Sequence, residues 1–207
     1  MSKTVLILDY GHGNANSIKR VLKNINCNAI YSNSPIKIEA ADAIIMPGVG
    51  HFQSAMQSMV KSNIITLLNK KICDEKIPVL GICLGFQLMT NYSEEGDCNG
   101  LGWIETNVEK IAPSDAKRFK VPHIGWRTLE NNQECQLLQN INYANKPFYF
   151  CHKFAVSNAL HGKCATYQYD KEYIGLYEKE NIFGVQFHPE KSQAHGQKMI
   201  KNFINLS

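Results

Sequence analysis

No C-x-x-C pair occurs in the 207 residues, although there are seven cysteines. These are Cys27, Cys73, Cys83, Cys98, Cys135, Cys151 and Cys164. Their odd number and scattered spacing exclude a disulfide framework and a cysteine-based zinc site. No metal or cofactor is expected, and most of the thiols should be buried as small hydrophobes. Nor does any stretch reach the ~20 apolar residues of a membrane-spanning helix, so no membrane association is expected. Basic clusters are missing as well. Lys and Arg total 22 against 18 Asp and Glu, a net charge of +4 spread along the chain, which is no nucleic-acid footprint. Repeats, low-complexity segments and linker-like stretches are lacking, so residues 1–207 should form a single domain. The opening MSKTVLILDYGHG has one lysine, a short apolar run and no small-residue cleavage site. It reads as a first strand rather than an export signal, which implies a cytoplasmic protein.

Hydrophobic residues make up 44% of the chain, enough for a substantial core. In the first half, strand and helix signals alternate. Thr4–Leu8, Ala43–Met46 and Pro78–Ile82 are continuous apolar runs, as expected of strands buried on both faces. Helical spacing follows around Ile18, Val21, Leu22 and Ile25, and again from Ala55 to Ile72. The segment from Leu84 to Gly96 has helix-forming composition. In the second half, residues 103–111, 148–156, 163–169 and 173–187 are β-branched and aromatic runs, some of them antiparallel strands. A last helix is expected over about Gln193–Ile204. The pattern predicts an α/β fold: a mainly parallel central sheet flanked by helices, with additional antiparallel strands. In such sheets sites gather beyond the C-terminal strand ends. That directs attention to the residues just past Leu8, Met46, Ile82 and Phe187.

After Ile82 comes Cys83, within Gly81-Ile82-Cys83-Leu84-Gly85. A G-x-C-x-G between a strand and a helix is the cysteine form of a nucleophile elbow. The glycines permit a sharp turn, the turn exposes the sulfur, and a helix N-terminus favours its anion. The same five residues also fit a buried thiol between turn glycines. A nucleophilic thiol needs a base and a group that orients the base. His188 and Glu190, in Phe187-His188-Pro189-Glu190, follow another strand and can supply both, although the segment alone fits a surface turn. Pro47-Gly48-Val49-Gly50 follows a third strand. Its glycines allow peptide N–H groups to face a pocket, where such donors typically stabilise an oxyanion by ~2.7–4 kcal/mol each. A plain turn is the other reading.

The motifs PGVGHF (47–52), GICLGFQ (81–87), VPHIGW (121–126), FYFCH (148–152) and GVQFHPEKSQ (184–193) carry a resemblance. Together they resemble the glutaminase subunit of imidazole glycerol phosphate synthases, a class-I glutamine amidotransferase type. The resemblance implies the three-layer fold of that class. It implies Cys83 as nucleophile, His188 as base and Glu190 as its orienting acid. Gly48, Val49 and Gly50 match the oxyanion strand, and Leu84 supplies the backbone N–H after the nucleophile. Gln87 and Glu95 match positions that contact L-glutamine, with Glu94 the immediate neighbour of the latter. The implied partner is a (β/α)8-barrel cyclase, bound as a heterodimer. It would receive ammonia and form imidazole glycerol phosphate and an aminoimidazole carboxamide ribotide. Trp126, beside Pro122 and His123, would lie at that interface; a core tryptophan is the alternative.

Two positions depart from the pattern. Arg127 stands where asparagine usually follows Gly-Trp, and Lys153-Phe154 stand where Ser or Thr and then an aromatic usually follow the histidine. Both sites are expected at the rim of the glutamine pocket or on the partner face. Paralogous amidotransferases that feed a sugar amidation in surface-polysaccharide synthesis share these motifs and form the alternative. A cysteine peptidase leaves H-P-E-K-S-Q and P-G-V-G unexplained. A non-catalytic binding protein predicts no special reactivity of Cys83 among the seven thiols.

Overall fold

The computed structural model describes residues 3–159 and 161–206. A seven-stranded sheet runs through the molecule. Its strands are β1 (Val5–Leu8), β2 (Ala29–Ser32), β3 (Ala43–Met46), β4 (Val79–Ile82), β11 (Lys163–Gln168), β12 (Glu172–Lys179) and β13 (Ile182–Val185). They lie in the order β11-β12-β13-β4-β3-β1-β2. From β13 to β2 every neighbouring pair is parallel; β11 and β12 extend the sheet with antiparallel pairings.

Strands β1, β3 and β4 are buried throughout because both sheet faces are covered. Val5 and Ile7 of β1 face one core with Ala43, Ile45, Leu80 and Ile82. Helices α1 (Ala15–Asn24) and α6 (Gln193–Leu206) close it through Ile18, Leu22, Met199 and Phe203. Leu6 and Leu8 face the opposite way, into a second core with Ile44, Met46 and Val79. That side is covered by α2 (Pro35–Glu39), α3 (Phe52–Lys61), α4 (Ile65–Asn69) and α5 (Leu84–Leu88). The alternation of one strand's side chains between two cores produces the three layers.

The helix expected from Ala55 to Ile72 is interrupted. α3 stops at Lys61, Asn63 takes a left-handed φ of 51°, and the chain restarts as α4. The expected helix from Leu84 to Gly96 is shorter still. Leu101 N–H takes the Leu88 carbonyl, and Trp103 and Ile104 N–H both take that of Met89. With those acceptors occupied, the chain leaves the helix and Thr90–Ser93 becomes strand β5. β5 belongs to a small sheet, β10-β7-β5-β6, with β6 (Cys98–Asn99), β7 (Ile104–Lys110) and β10 (Phe154–Ala155). Strands β8 (His123–Arg127) and β9 (Phe148–His152) form a separate antiparallel pair that sets His123 opposite His152 and Trp126 opposite Tyr149. Strands β2, β5, β6 and β8 were not expected from the apolar patterning.

Candidate active site

The segments just past the C-terminal ends of β3, β4 and β13 line one cleft of about 430 Å³. Val49, Gly50, Cys83, Leu84, Gln87, Glu95 and His188 all line it.

Cys83 sits where β4 turns into α5, with φ 53° and ψ −107°. A non-glycine residue held there is strained, and the surroundings must impose the conformation. Cys83 N–H is tied to the Val185 carbonyl at 2.7 Å. The turn is also clamped from β3: a Cβ on Gly85 would lie 2.0 Å from the Met46 carbonyl oxygen. Gly48 is wedged against the same elbow, its Cβ position 2.3 Å from Gly85 N and 2.5 Å from the Leu84 side chain. The glycines of the two motifs therefore allow residues 47–50 and the Cys83 turn to touch backbone to backbone. The α5 helix has only five residues. Its field on the thiol is smaller than the sequence pattern implies, so side chains must supply most of the electrostatics.

His188 is the imidazole beside the sulfur. Its Nδ1 lies 2.8 Å from Glu190 Oε1, and both side chains are almost fully buried. Burial opposes charge on the imidazole, but the adjoining Cys83 sulfur and the Glu190 carboxylate outweigh it and raise the ring to about 10. The ring is fixed through its backbone: His188 N–H donates to the Tyr149 carbonyl at 2.8 Å. Ser192 Oγ donates to the His188 carbonyl at 2.7 Å and accepts from Tyr149 N–H at 3.0 Å. With Nδ1 engaged by the carboxylate, Nε2 is the nitrogen left for the sulfur. A thiol, an imidazole and a carboxylate in this order can carry out nucleophilic acyl transfer.

Glu95 and Glu94 part company. Glu95 lines the cleft and accepts from Phe52 N–H at 2.9 Å, capping α3, whereas Glu94 accepts from Lys110 N–H at 2.7 Å away from it. Gln87 Nε2 donates to the Phe154 carbonyl at 2.8 Å and to Gln186 Oε1 at 3.0 Å. Its amide hydrogens are thus spent on the protein, and only Oε1 remains for a ligand.

His123 corrects an expectation. It is 1% exposed, stacked on Tyr169 at 4.0 Å between ring centroids, and cannot form part of an outer face. Trp126, next but two along β8, is 40% exposed and packs on Tyr149. Strand alternation explains the split: His123 and Arg127 point inward from the pair, Ile124 and Trp126 outward. Arg127 lies over the Tyr169 ring and does not line the cleft, so of the two departures only the Lys153-Phe154 segment reaches it.

Several residues carry no signal in the sequence patterning. His152 is buried in the cleft wall. Its Nδ1 donates to the Phe154 carbonyl at 2.8 Å, which leaves Nε2 to accept from Tyr167 O–H and His123 Nδ1–H, each 3.2 Å away. Burial holds both rings neutral, with His152 lowered to about 4 and His123 to about 3. The Gly-rich loop after β1 supports residues 47–50. Tyr10 O–H donates to the Pro47 carbonyl, and the His12 ring fills the space a Cβ on Gly50 would need. Lys153 and Lys191 line the cleft, and neither is ion-paired with a carboxylate among the described residues. Gln186 is the exception among residues missed from the sequence: a polar residue directly after the apolar strand β13 (Ile182–Val185), between Val185 and Phe187, was a usable signal.

The class-I glutamine amidotransferase family profile matches residues 6–206. The imidazole glycerol phosphate synthase subunit HisH 2 of Methanococcus maripaludis is 42% identical over 205 residues, covering 97% of this chain and 98% of that protein. The HisH 2 subunit of Pseudomonas aeruginosa is 36% identical, covering 98% and 99%. The chain belongs to the HisH branch of the class-I glutamine amidotransferases. Solved structures share the amidotransferase fold at low identity. A GMP synthase subunit from Thermoplasma acidophilum has a TM-score of 0.73 at 16% identity, covering 100% of this chain and 94% of its own. A glutamine amidotransferase structure has a TM-score of 0.72 at 15% identity, covering 97% of each. The three-layer fold of this amidotransferase is that of its class.

Proposed function

We propose that this amidotransferase hydrolyses L-glutamine at Cys83 and passes the ammonia to a cyclase partner. That partner forms imidazole glycerol phosphate and the aminoimidazole carboxamide ribotide in histidine biosynthesis. The observation that carries the reading is the buried Glu190–His188 pair whose free imidazole nitrogen adjoins the Cys83 sulfur.

The Cys83 thiolate attacks the side-chain amide carbon of glutamine. The oxyanion forms against Gly48, Val49, Gly50 and the backbone N–H of Leu84. His188, held by Glu190, delivers a proton to the departing nitrogen, and ammonia leaves a γ-glutamyl thioester. His188 then takes a proton from water as it attacks, and glutamate is released with the thiol restored. Glu95 and Gln87 Oε1 suit the substrate's α-ammonium, and Lys153 suits its α-carboxylate.

The partner face we assign surrounds the cleft mouth. Val49 lines the cleft, Val121 precedes the lining residue Pro122, and Ile124 pairs with the lining residue Cys151, with Trp126 next but one along the same strand; the four are 42%, 39%, 59% and 40% exposed. A (β/α)8-barrel subunit seated there as a heterodimer would receive ammonia away from bulk water. The relatives' names, as subunits of a synthase, support this arrangement. Seven unpaired cysteines fit a reducing cytoplasm and one amidotransferase domain without disulfides.

The test is Cys83→Ala. Glutamine hydrolysis should fall by ~10⁴-fold or more, as when other nucleophiles are removed. Synthase activity of the complex with added ammonium salts should persist. Retained glutamine-dependent activity would overturn the proposal.

A further inference from the structure

The imidazole occupies one side of the Cys83 sulfur. On another side stands Gln186, fully buried, with Nε2 3.7 Å from Sγ. A buried primary amide beside a nucleophile needs an account, because it must satisfy its own donors and acceptor. The surrounding hydrogen bonds determine which end faces the sulfur. The Phe154 carbonyl can only accept, so Gln87 must turn its NH2 toward it at 2.8 Å. The same NH2 then points its other hydrogen at Gln186, 3.0 Å away, so Gln186 must answer with Oε1. Its own NH2 is left toward Cys83. Reversing either amide would set oxygen against oxygen or nitrogen against nitrogen, a cost no buried group here offsets.

We infer that Gln186 is a positioning residue that donates an N–H···S hydrogen bond to Cys83 and favours the thiolate, its orientation dictated by Gln87 and the Phe154 carbonyl. The inference rests on Cys83 being the nucleophile. A hydrogen bond to the charged form of a group favours that form. Gln186 carries no charge, so replacing it alters the donor and leaves every formal charge in place. The groups around the sulfur are then constant. They are His188 backed by Glu190, the buried phenols of Tyr10 and Tyr167, and His51, Glu95, Cys151, His152, Lys153 and Lys191 along the cleft.

The experiment measures the rate of Cys83 alkylation by iodoacetamide against pH, with the labelled peptide quantified by mass spectrometry. In Gln186→Met, which keeps the length and loses the donor, the midpoint should rise by about one unit. Glutaminase kcat/KM below that midpoint should fall about tenfold, with KM little changed. Gln87→Met should move the midpoint in the same direction, and the double variant should move it no further than Gln186→Met alone. An unchanged midpoint in folded Gln186→Met would overturn the inference, as would full additivity of the two shifts. If Gln186→Met does not fold, the unsubstituted protein labelled with side-chain ¹⁵N glutamine decides. The Gln186 amide signal should shift with the Cys83 titration, and a signal indifferent to it would overturn the proposal. Alkylation reads the sulfur directly, so this result stands apart from the reading beneath it. Only an active Cys83→Ala protein would remove that reading.

Discussion

Lys153 brings an ammonium to a cleft whose carboxylate, Glu95, lies among the same lining groups. An amino acid with its side chain toward Cys83 must leave its own ammonium and carboxylate near such charges. Lys153→Met should therefore raise KM for glutamine about tenfold with kcat nearly unchanged, the signature of lost ground-state binding. Glutaminamide, which lacks the α-carboxylate, should be used equally well by both proteins. Steady-state kinetics with the two substrates checks this, and an equal loss on both would assign Lys153 a structural role. Single residues also show where local pattern misleads. His123 beside Trp126 reads as a surface pair, yet three aromatic rings enclose it. No local pattern predicts that, because the rings come from β9, β11 and the turn after β11.

At the scale of elements, the nucleophile turn depends on β3 and α5 meeting without side chains between them. Gly85→Ala would place a methyl group 2.0 Å from the Met46 carbonyl oxygen, and backbone cannot yield as a side-chain tip can. A loss of about 3 kcal/mol or more is expected from such overpacking. Urea unfolding of the variant measures it. Strands of this layer were legible because burial on both faces writes an unbroken apolar run, as in Ala43–Met46. The cysteine turn was legible because Gly81 and Gly85 bracket the three residues Ile82, Cys83 and Leu84, across which strand gives way to helix. Strand β5 was not: its fate is decided by hydrogen bonds from residues 101–104 to the end of α5, which are tertiary contacts. Likewise the pairing of β8 with β9, distant in sequence, separates Trp126 from His123, and neither segment encodes that alone.

For the whole molecule, two buried neutral histidines impose a pH dependence. His152 and His123 titrate near 4 and 3 when folded and near their ordinary value of about 6.5 when unfolded. Between those limits the unfolded chain binds protons that the folded one refuses, so stability falls as pH drops below about 6.5. Each proton contributes roughly 1.4 kcal/mol per pH unit over that window. Urea unfolding at pH 7 and pH 5 should show the loss, and His123→Phe should flatten it. A protein equally stable at both would contradict this account of the pair. One oxygen, the carbonyl of residue 154, accepts from both His152 and Gln87 and lies in the strand that joins the small sheet to the cleft. Main-chain atoms are not spelled by the genetic code. Evolution can exchange the side chain at this position for any that fits and keep the anchor, while sites 87 and 152, whose partners are written in letters, have no such latitude.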